Sequence, residues 1–239
     1  FQPFPRRRRA AVCGGHGVPK MMNAFRFAGD MSHVVSFLVL LRRILLSKNP
    51  VGISLKSLEL YLIVFVARYL DLFTTFHSVY NSCMKVAYIS VTAYIIYIIR
   101  RKEPYRTLYD ASQDSFRHLE FAVAPCAVLA LVTVFVQGHL TVFAGLWTMS
   151  IFLEAIAILP QLMLLQRYKE VDNLSGQYLF FLGAYRALYI ANWVYRTLFE
   201  PFYHHNWIVY LCGLVQTCLY ADFFYYYLKS AGKGFRLPS

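Results

Sequence analysis

From residue 23 onward, long apolar runs alternate with short polar turns. Seven such runs fall at about 23–46, 53–75, 82–99, 118–137, 140–165, 176–199 and 207–228, each close to the roughly 20 apolar residues that a helix needs to cross a bilayer. The pattern predicts an all-α fold, a seven-transmembrane-helix membrane protein. Pro160-Gln161, near the end of the fifth run, predicts a bend, because proline frees backbone groups and kinks a membrane helix. Residues 1–20 break the pattern. They are rich in Pro, Gly and Arg, and Met21 and Met22 stand just before the first run. They are therefore expected to be a non-native or disordered N-terminal extension. Residues 21–228 would then be the transmembrane domain and 229–239 a cytosolic tail.

The polar turns carry an asymmetry that predicts orientation. Arg42, Arg43, Lys48 and Lys56 surround the first turn, Arg100, Arg101, Lys102 and Arg106 follow the third run, Arg167 and Lys169 follow the fifth, and Lys229, Lys233 and Arg236 follow the seventh. The alternate turns, 76–81, 137–139 and 200–206, contain neither Lys nor Arg. Basic loops stay in the cytosol, so the odd-numbered turns and the C-terminus are placed there and the N-terminus on the opposite side. Composition agrees with a lipid environment: of 239 residues 58% are hydrophobic and 15% charged, against roughly a quarter charged in soluble domains. The formal net charge of +12 reads as this loop bias rather than as nucleic-acid binding, because the basic residues fall between runs.

Charge inside the runs is costly and needs a partner or a water-filled cavity. Counted at about 1.5 Å per residue from the non-cytosolic end, Arg26 lies about 5 Å deep, Trp147 about 10 Å and Arg68 about 12 Å, with Glu154, Tyr185 and Arg186 near the midplane. Tyr189, Asn192, Trp193 and Arg196 lie between Arg186 and the surface. Four runs thus deliver Arg26, Arg68, Arg186 and Arg196 to one half of the bilayer, and the acidic residues counted against them are Asp71 and Glu154. Two readings stay open. Arg68 pairs with Asp71 and Arg186 with Glu154, or the guanidinium groups line an open cationic cavity. Two arginines remain unmatched even with both pairs, so the cavity is the economical reading. Its ligand would be anionic, since guanidinium bonds carboxylate in bidentate fashion. His33, two turns below Arg26, is either a structural hydrogen-bonder or a proton switch.

Other chemistry is not indicated. The five cysteines have no CxxC or Cys/His spacing, so no metal and no cofactor is expected. No GxSxG, HExxH or phosphate-binding glycine pattern occurs, which argues against an enzyme. The cytosolic halves of the runs are read as nearly uncharged, apart from Glu59, Lys85 and Glu120. That argues mildly against a solute transporter, the alternative function.

The blocks MNAFRFAGDMSH, ARYLDLFT, LWTMSIFLEAIAILPQ, YLFFLGAYRALYIANW and VQTCLYADFFY resemble the KDEL receptor family over nearly all of the chain from Met22. That family returns escaped residents of the endoplasmic reticulum (ER) from the Golgi. The resemblance implies a fold similar to SWEET/PQ-loop transporters, with two three-helix bundles joined by the fourth span. It implies a ligand, the C-terminal tetrapeptide Lys- or His-Asp-Glu-Leu of soluble ER proteins, and a partner, the COPI coat. It places Arg68 and Tyr69 on the terminal carboxylate, Arg26 on the glutamate and Arg196 on the aspartate. Trp147 would stack on the basic first residue, near Asp71, with Thr75, Arg186, Tyr189, Asn192 and Trp193 in the same pocket. His33 matches a pH-sensing histidine, and Glu154 and Tyr185 a pair that locks the acidic form. Asp222, Lys229 and Lys233 match residues of retrograde transport. The N-terminus would be lumenal and the C-terminus cytosolic, in Golgi, intermediate-compartment and ER membranes. The sequence departs from the family at Ala144, where a glutamate is common, at Thr75, where an asparagine is common, and in a tail poorer in lysine.

Overall fold

A computed structural model of the chain describes residues 23–73, 76, 78–138, 140–168, 170–171, 173–200, 203, 205–229 and 235–236. The expectations for residues 1–20, Thr75 and Lys233 lie outside them. The described residues are helical apart from turns and one antiparallel pairing of Glu170–Val171 with Phe235–Arg236. The helices are α1 (Ala24–Ser47), α2 (Leu55–Arg68), α3 (Val79–Arg101), the single turn α4 (Tyr105–Leu108), α5 (Ala124–Val136), α6 (Val142–Ile156), α7 (Leu159–Tyr168), α8 (Asn173–Phe199) and α9 (Trp207–Lys229). Four helical stretches among these residues are long and apolar enough to cross a membrane: Ala24–Ser47, Val79–Arg101, Leu119–Val136 and Val142–Arg167. The shorter apolar helix Trp207–Ala221 joins them.

Two predicted runs are interrupted. The second ends its α-helix at Arg68, and the chain continues as a 3-10 turn, Leu70–Phe73. Apolar residues resume past this junction at Leu70, Leu72 and Phe73, so the apolar pattern did not mark it. The fifth divides into α6 and α7 just before Pro160, whose ring clashes with the carbonyl four residues back. The carbonyl of Ala157, released at the break, accepts a hydrogen bond from the Ser57 hydroxyl. A π-helical turn, Leu119–Val123, opens the fourth run ahead of Pro125.

The helix starts follow local chemistry. Asn23, Ser54, Ser78 and Thr141 cap α1, α2, α3 and α6, each side-chain oxygen accepting from a backbone N–H in the first turn. α1 runs along α8, and α2 packs on α3 and α6. α3 also touches α1, and α9 touches both α6 and α8. The common core contains Phe37, Leu40, Ile44, Leu58, Tyr61, Phe65, Ile95, Leu153, Leu182 and Tyr220. Large apolar side chains, Phe121 on the π-helical turn and Leu131 and Phe135 on α5, point outward, as on a lipid-facing helix.

Polar side chains gather at the two ends of this bundle. At the end that holds Pro160, Gln161 accepts from the Ser54 N–H and donates to the Gly52 carbonyl, both at 2.8 Å. Asp114, which is buried, accepts from the Ser54 hydroxyl at 2.8 Å, the Lys56 N–H at 3.1 Å and the Tyr109 hydroxyl at 2.6 Å. Burial and this carboxylate hold the Tyr109 phenol well above its ordinary pKa. Arg43 donates to the carbonyls of Asn49 and Val51. Glu59 pairs with Arg100 and with His118, the latter at 3.0 Å. This end is tied together by satisfied donors and acceptors. Replacing Asp114 by alanine removes one acceptor from three buried or half-buried donors. The expected cost is about 3 kcal/mol, seen as a lower Tm in detergent; an unchanged Tm would contradict the assigned network.

Candidate functional site: a cationic cavity

The opposite end is hollow. A cavity of about 220 Å³ opens between the first half of α1, the end of α2, the start of α3, the middle of α6, the second half of α8 and the start of α9. Its charged lining is Arg26, Arg68, Lys85, Arg186 and Arg196, set against Asp30 and Glu154.

Local structure explains how each cation is aimed. Asn23 caps α1 by accepting from the Arg26 N–H at 2.8 Å, and its amide donates to Asn192 on α8 at 2.7 Å. The turn that carries Arg26 is thereby fixed against α8. Gly29 allows the close approach: a Cβ there would stand 2.9 Å from the Tyr189 ring. Gly213 does the same for α9, where a Cβ would lie 2.4 Å from the Trp193 ring. Arg68 is the last residue of α2, so its side chain reaches across to α6. Its Nε donates to Ser150 at 3.1 Å and its Nη1 pairs with Glu154.

Glu154 is the hub. It is only 5% exposed, and it binds Arg68 through one oxygen and Arg186 through the other, the latter at 2.6 Å. The Tyr185 hydroxyl donates to it at 2.9 Å. His33 stacks on the Tyr185 ring, 4.0 Å between centroids and 9° apart, and Tyr88 packs against His33 at 4.7 Å.

Donors are left over. Among the described residues, Arg68 Nη2, Arg196 Nε and Nη2, and His33 Nε2 are buried and have no hydrogen-bond partner. Arg196 is 6% exposed; Glu200 lies 3.5 Å from its Nε, within ion-pair reach but without a hydrogen bond. Arg26 makes no ion pair with any described residue. A buried donor left unmatched costs about 1–3 kcal/mol, more when charged. An incoming group that carries acceptors would match these donors, and carboxylates fit guanidinium best.

The sequence expectation placed most of these groups together, and twelve of the residues it named line this cavity: Arg26, His33, Arg68, Tyr69, Trp147, Glu154, Tyr185, Arg186, Tyr189, Asn192, Trp193 and Arg196. The alternative pairing of Arg68 with Asp71 is corrected. The helix ends at Arg68, so the three-residue spacing no longer brings the two side chains together, and Asp71 pairs instead with Lys85 at 2.7 Å. Lys85, read as lying in a cytosolic half, lines this cavity, because α3 begins at Val79 and Lys85 is only in its second turn. Asp30 was not singled out. It accepts from the hydroxyls of Tyr189 and Tyr80, the latter at 3.2 Å, and its backbone carbonyl accepts from Tyr88 at 3.1 Å. Its signal was its place four residues after Arg26, on the same helix face. Asp222 and Lys229 lie on the last turns of α9.

Comparison with known proteins shows the family. The family described as ER lumen protein retaining receptor matches residues 49–196. An ER lumen protein-retaining receptor of Petunia hybrida is 54% identical over 209 residues, covering 87% of this chain and 95% of the relative. The ER lumen protein-retaining receptor B of Arabidopsis thaliana is 50% identical over 220 residues, 91% of this chain and 100% of the relative. The Drosophila melanogaster receptor of the same name is 47% identical over 216 residues, 90% and 98% of the two chains. The matches run through the helices that build the cavity, and this chain belongs to the ER lumen protein-retaining receptor family.

Proposed function

We propose that this protein captures the C-terminal tetrapeptide of escaped ER residents, of the Lys- or His-Asp-Glu-Leu type, in the Golgi and returns it to the ER. The observation that carries the proposal is the set of guanidinium donors on Arg68 and Arg196 unmatched among the described residues, beside Arg26, which pairs with no described residue, around one cavity. Such a peptide brings three carboxylates, two from side chains and one from the chain end. Arg68 with Tyr69 takes the terminal carboxylate, Arg26 the glutamate and Arg196 the aspartate. Trp147 meets the cationic first residue through its ring face, and Tyr189, Asn192 and Trp193 shape the wall. Glu154, Tyr185 and Arg186 form the floor. The reading as a small-solute transporter is not favoured, since the relatives are named as receptors.

The finer topology belongs to the same proposal. Residues 21–228 form seven spans in two three-helix bundles joined by the fourth span, as in SWEET-type proteins; the contacts of α3 with α1 and α2, and of α9 with α6 and α8, support that reading. The N-terminus is lumenal, and the tail 229–239 is cytosolic. There Lys229 and Lys233, with Asp222 on α9, engage the COPI coat for retrograde transport between Golgi, intermediate compartment and ER.

His33 supplies the release. It sits against Tyr185 within the cationic cavity. Its protonation adds positive charge where carboxylates bind, so affinity is high at acidic pH and falls as pH rises through that protonation. A tetrapeptide with a free C-terminus is expected to bind tighter at about pH 5.5 than at about pH 7.5, and its C-terminal amide to bind at least about thirtyfold more weakly, the scale of one unpaired buried charge. Equal affinity of acid and amide would contradict the carboxylate assignment, and a flat pH profile the His33 trigger. Arg68→Ala is expected to lose a similar factor, measured by peptide binding in detergent or membranes; retained affinity would reject its role.

A further inference from the structure

The hydrogen bonds at the cavity floor continue beyond Glu154 into α9. Gln216 is 0% exposed. Its Nε2 donates to the Tyr185 hydroxyl at 3.2 Å, while its Oε1, equally buried, has no hydrogen-bond partner among the described residues. A buried carbonyl oxygen left unmatched is costly unless another state of the protein satisfies it. Two hydroxyls stand against this amide, those of Tyr220 and Tyr185; Tyr220 is also bonded to Tyr61, and the one that also reaches Glu154 is the Tyr185 hydroxyl. That hydroxyl accepts from Gln216 and from Arg186 Nε, the latter at 3.0 Å, and gives its proton to Glu154 Oε1 at 2.9 Å. A phenol has one proton to give. Half a turn of the Gln216 amide puts Oε1 where Nε2 now stands, and the same proton then has a second acceptor.

We propose that Gln216 is a positioning residue that competes with Glu154 for the Tyr185 hydroxyl proton, and that this competition sets how far peptide binding weakens between acidic and neutral pH. The inference rests on the receptor reading and adds to it a residue on α9. With the proton on Glu154, Tyr185 ties α8 to α6 below the peptide site. With the proton on Gln216, Tyr185 ties α8 to α9, and Glu154 is left to its two guanidinium partners.

The groups facing this switch fix its sign. They are His33 from α1, Arg68 and Tyr61 from α2, Tyr88 from α3, Glu154 from α6, Arg186 from α8 and Tyr220 from α9. Arg68 and Arg186 both pair with Glu154, and Tyr61 and Tyr220 bond each other at 3.2 Å. His33, stacked on the Tyr185 ring, is the group among these whose ordinary pKa lies nearest neutrality. A cation against that ring makes its phenol a stronger donor and favours the carboxylate. A neutral imidazole removes the bias and lets the amide compete. Without the amide, the Tyr185–Glu154 bond persists at neutral pH.

The test compares the Kd of a tetrapeptide with a free C-terminus at about pH 5.5 and about pH 7.5 in the full chain and in Gln216→Met, with Gln216→Leu as the second variant where the first is not recovered folded. The variant is expected to bind at acidic pH as the unmodified chain does. Its ratio of neutral to acidic Kd should be about fivefold smaller, the scale of one buried hydrogen bond. In a Tyr185→Phe background the same substitution should leave the ratio unchanged, since the contested proton is gone. An equal ratio in Gln216→Met and the unmodified chain overturns the inference, even if binding weakens at both pH values, because lost packing alone would do that. An unmodified chain that binds no peptide at either pH overturns the receptor reading itself.

Discussion

In the apolar interior, Glu154 must neutralise two guanidinium groups, Arg68 and Arg186, at once. Charges so deep are tolerated only when paired and hydrogen-bonded, and one carboxylate cannot occupy every donor of two arginines. Tyr185 and Ser150 take up part of the remaining hydrogen bonding. Arg68 Nη2 still has no partner among the described residues. The surplus grows toward the mouth, where Arg26 and Arg196 join. The excess of positive charge is thus a property of the fold, and an acidic ligand would complete it.

The two ends of the bundle show what that incompleteness costs and where it is offset. Around Gln161 and Asp114, donors and acceptors match, and the broken helix at Pro160 returns its freed Ala157 carbonyl to Ser57. Around the cavity, donors are left bare. A satisfied end provides the rigidity that lets the other end remain open, in keeping with the view that binding sites concentrate unmet polar groups on a well-packed scaffold. Gly29 and Gly213 belong to the same arrangement, since they let α1 and α9 approach α8 closely enough to place Tyr189 and Trp193 on the cavity wall.

Much of this was legible in the sequence, for identifiable reasons. Lipid-facing helices must be apolar throughout, so α1, α3, α5 and α6 stand out by composition. Charge within such helices is expensive, so Arg186 and Glu154 pointed to an interior site before any contact was known. The failures have physical causes too. Arg68 and Asp71 are three residues apart, but that spacing means contact only inside a helix, and the helix ends between them. Its partner Glu154 comes from another helix, and periodicity carries no information about that pairing. Lys85 was assigned to the wrong half, although the third run follows the Lys- and Arg-free turn 76–81 and so already placed it at the cavity's end. Asp30 was overlooked beside its neighbour Arg26, although its two tyrosine partners, on α3 and α8, make it a junction of three helices. The unmatched state of Arg68 Nη2 and of Arg196 has no sequence signal at all.

The central claim is that carboxylates of a peptide satisfy the bare guanidinium groups of this cavity. A structure of the receptor with an acidic tetrapeptide bound, determined at acidic pH, tests it most directly. The account predicts peptide carboxylate oxygens within about 3.2 Å of Arg68 Nη2 and of the Arg196 guanidinium, with Arg26 holding a third. A peptide seated elsewhere, or one whose carboxylates face solvent while those nitrogens stay bare, would contradict it.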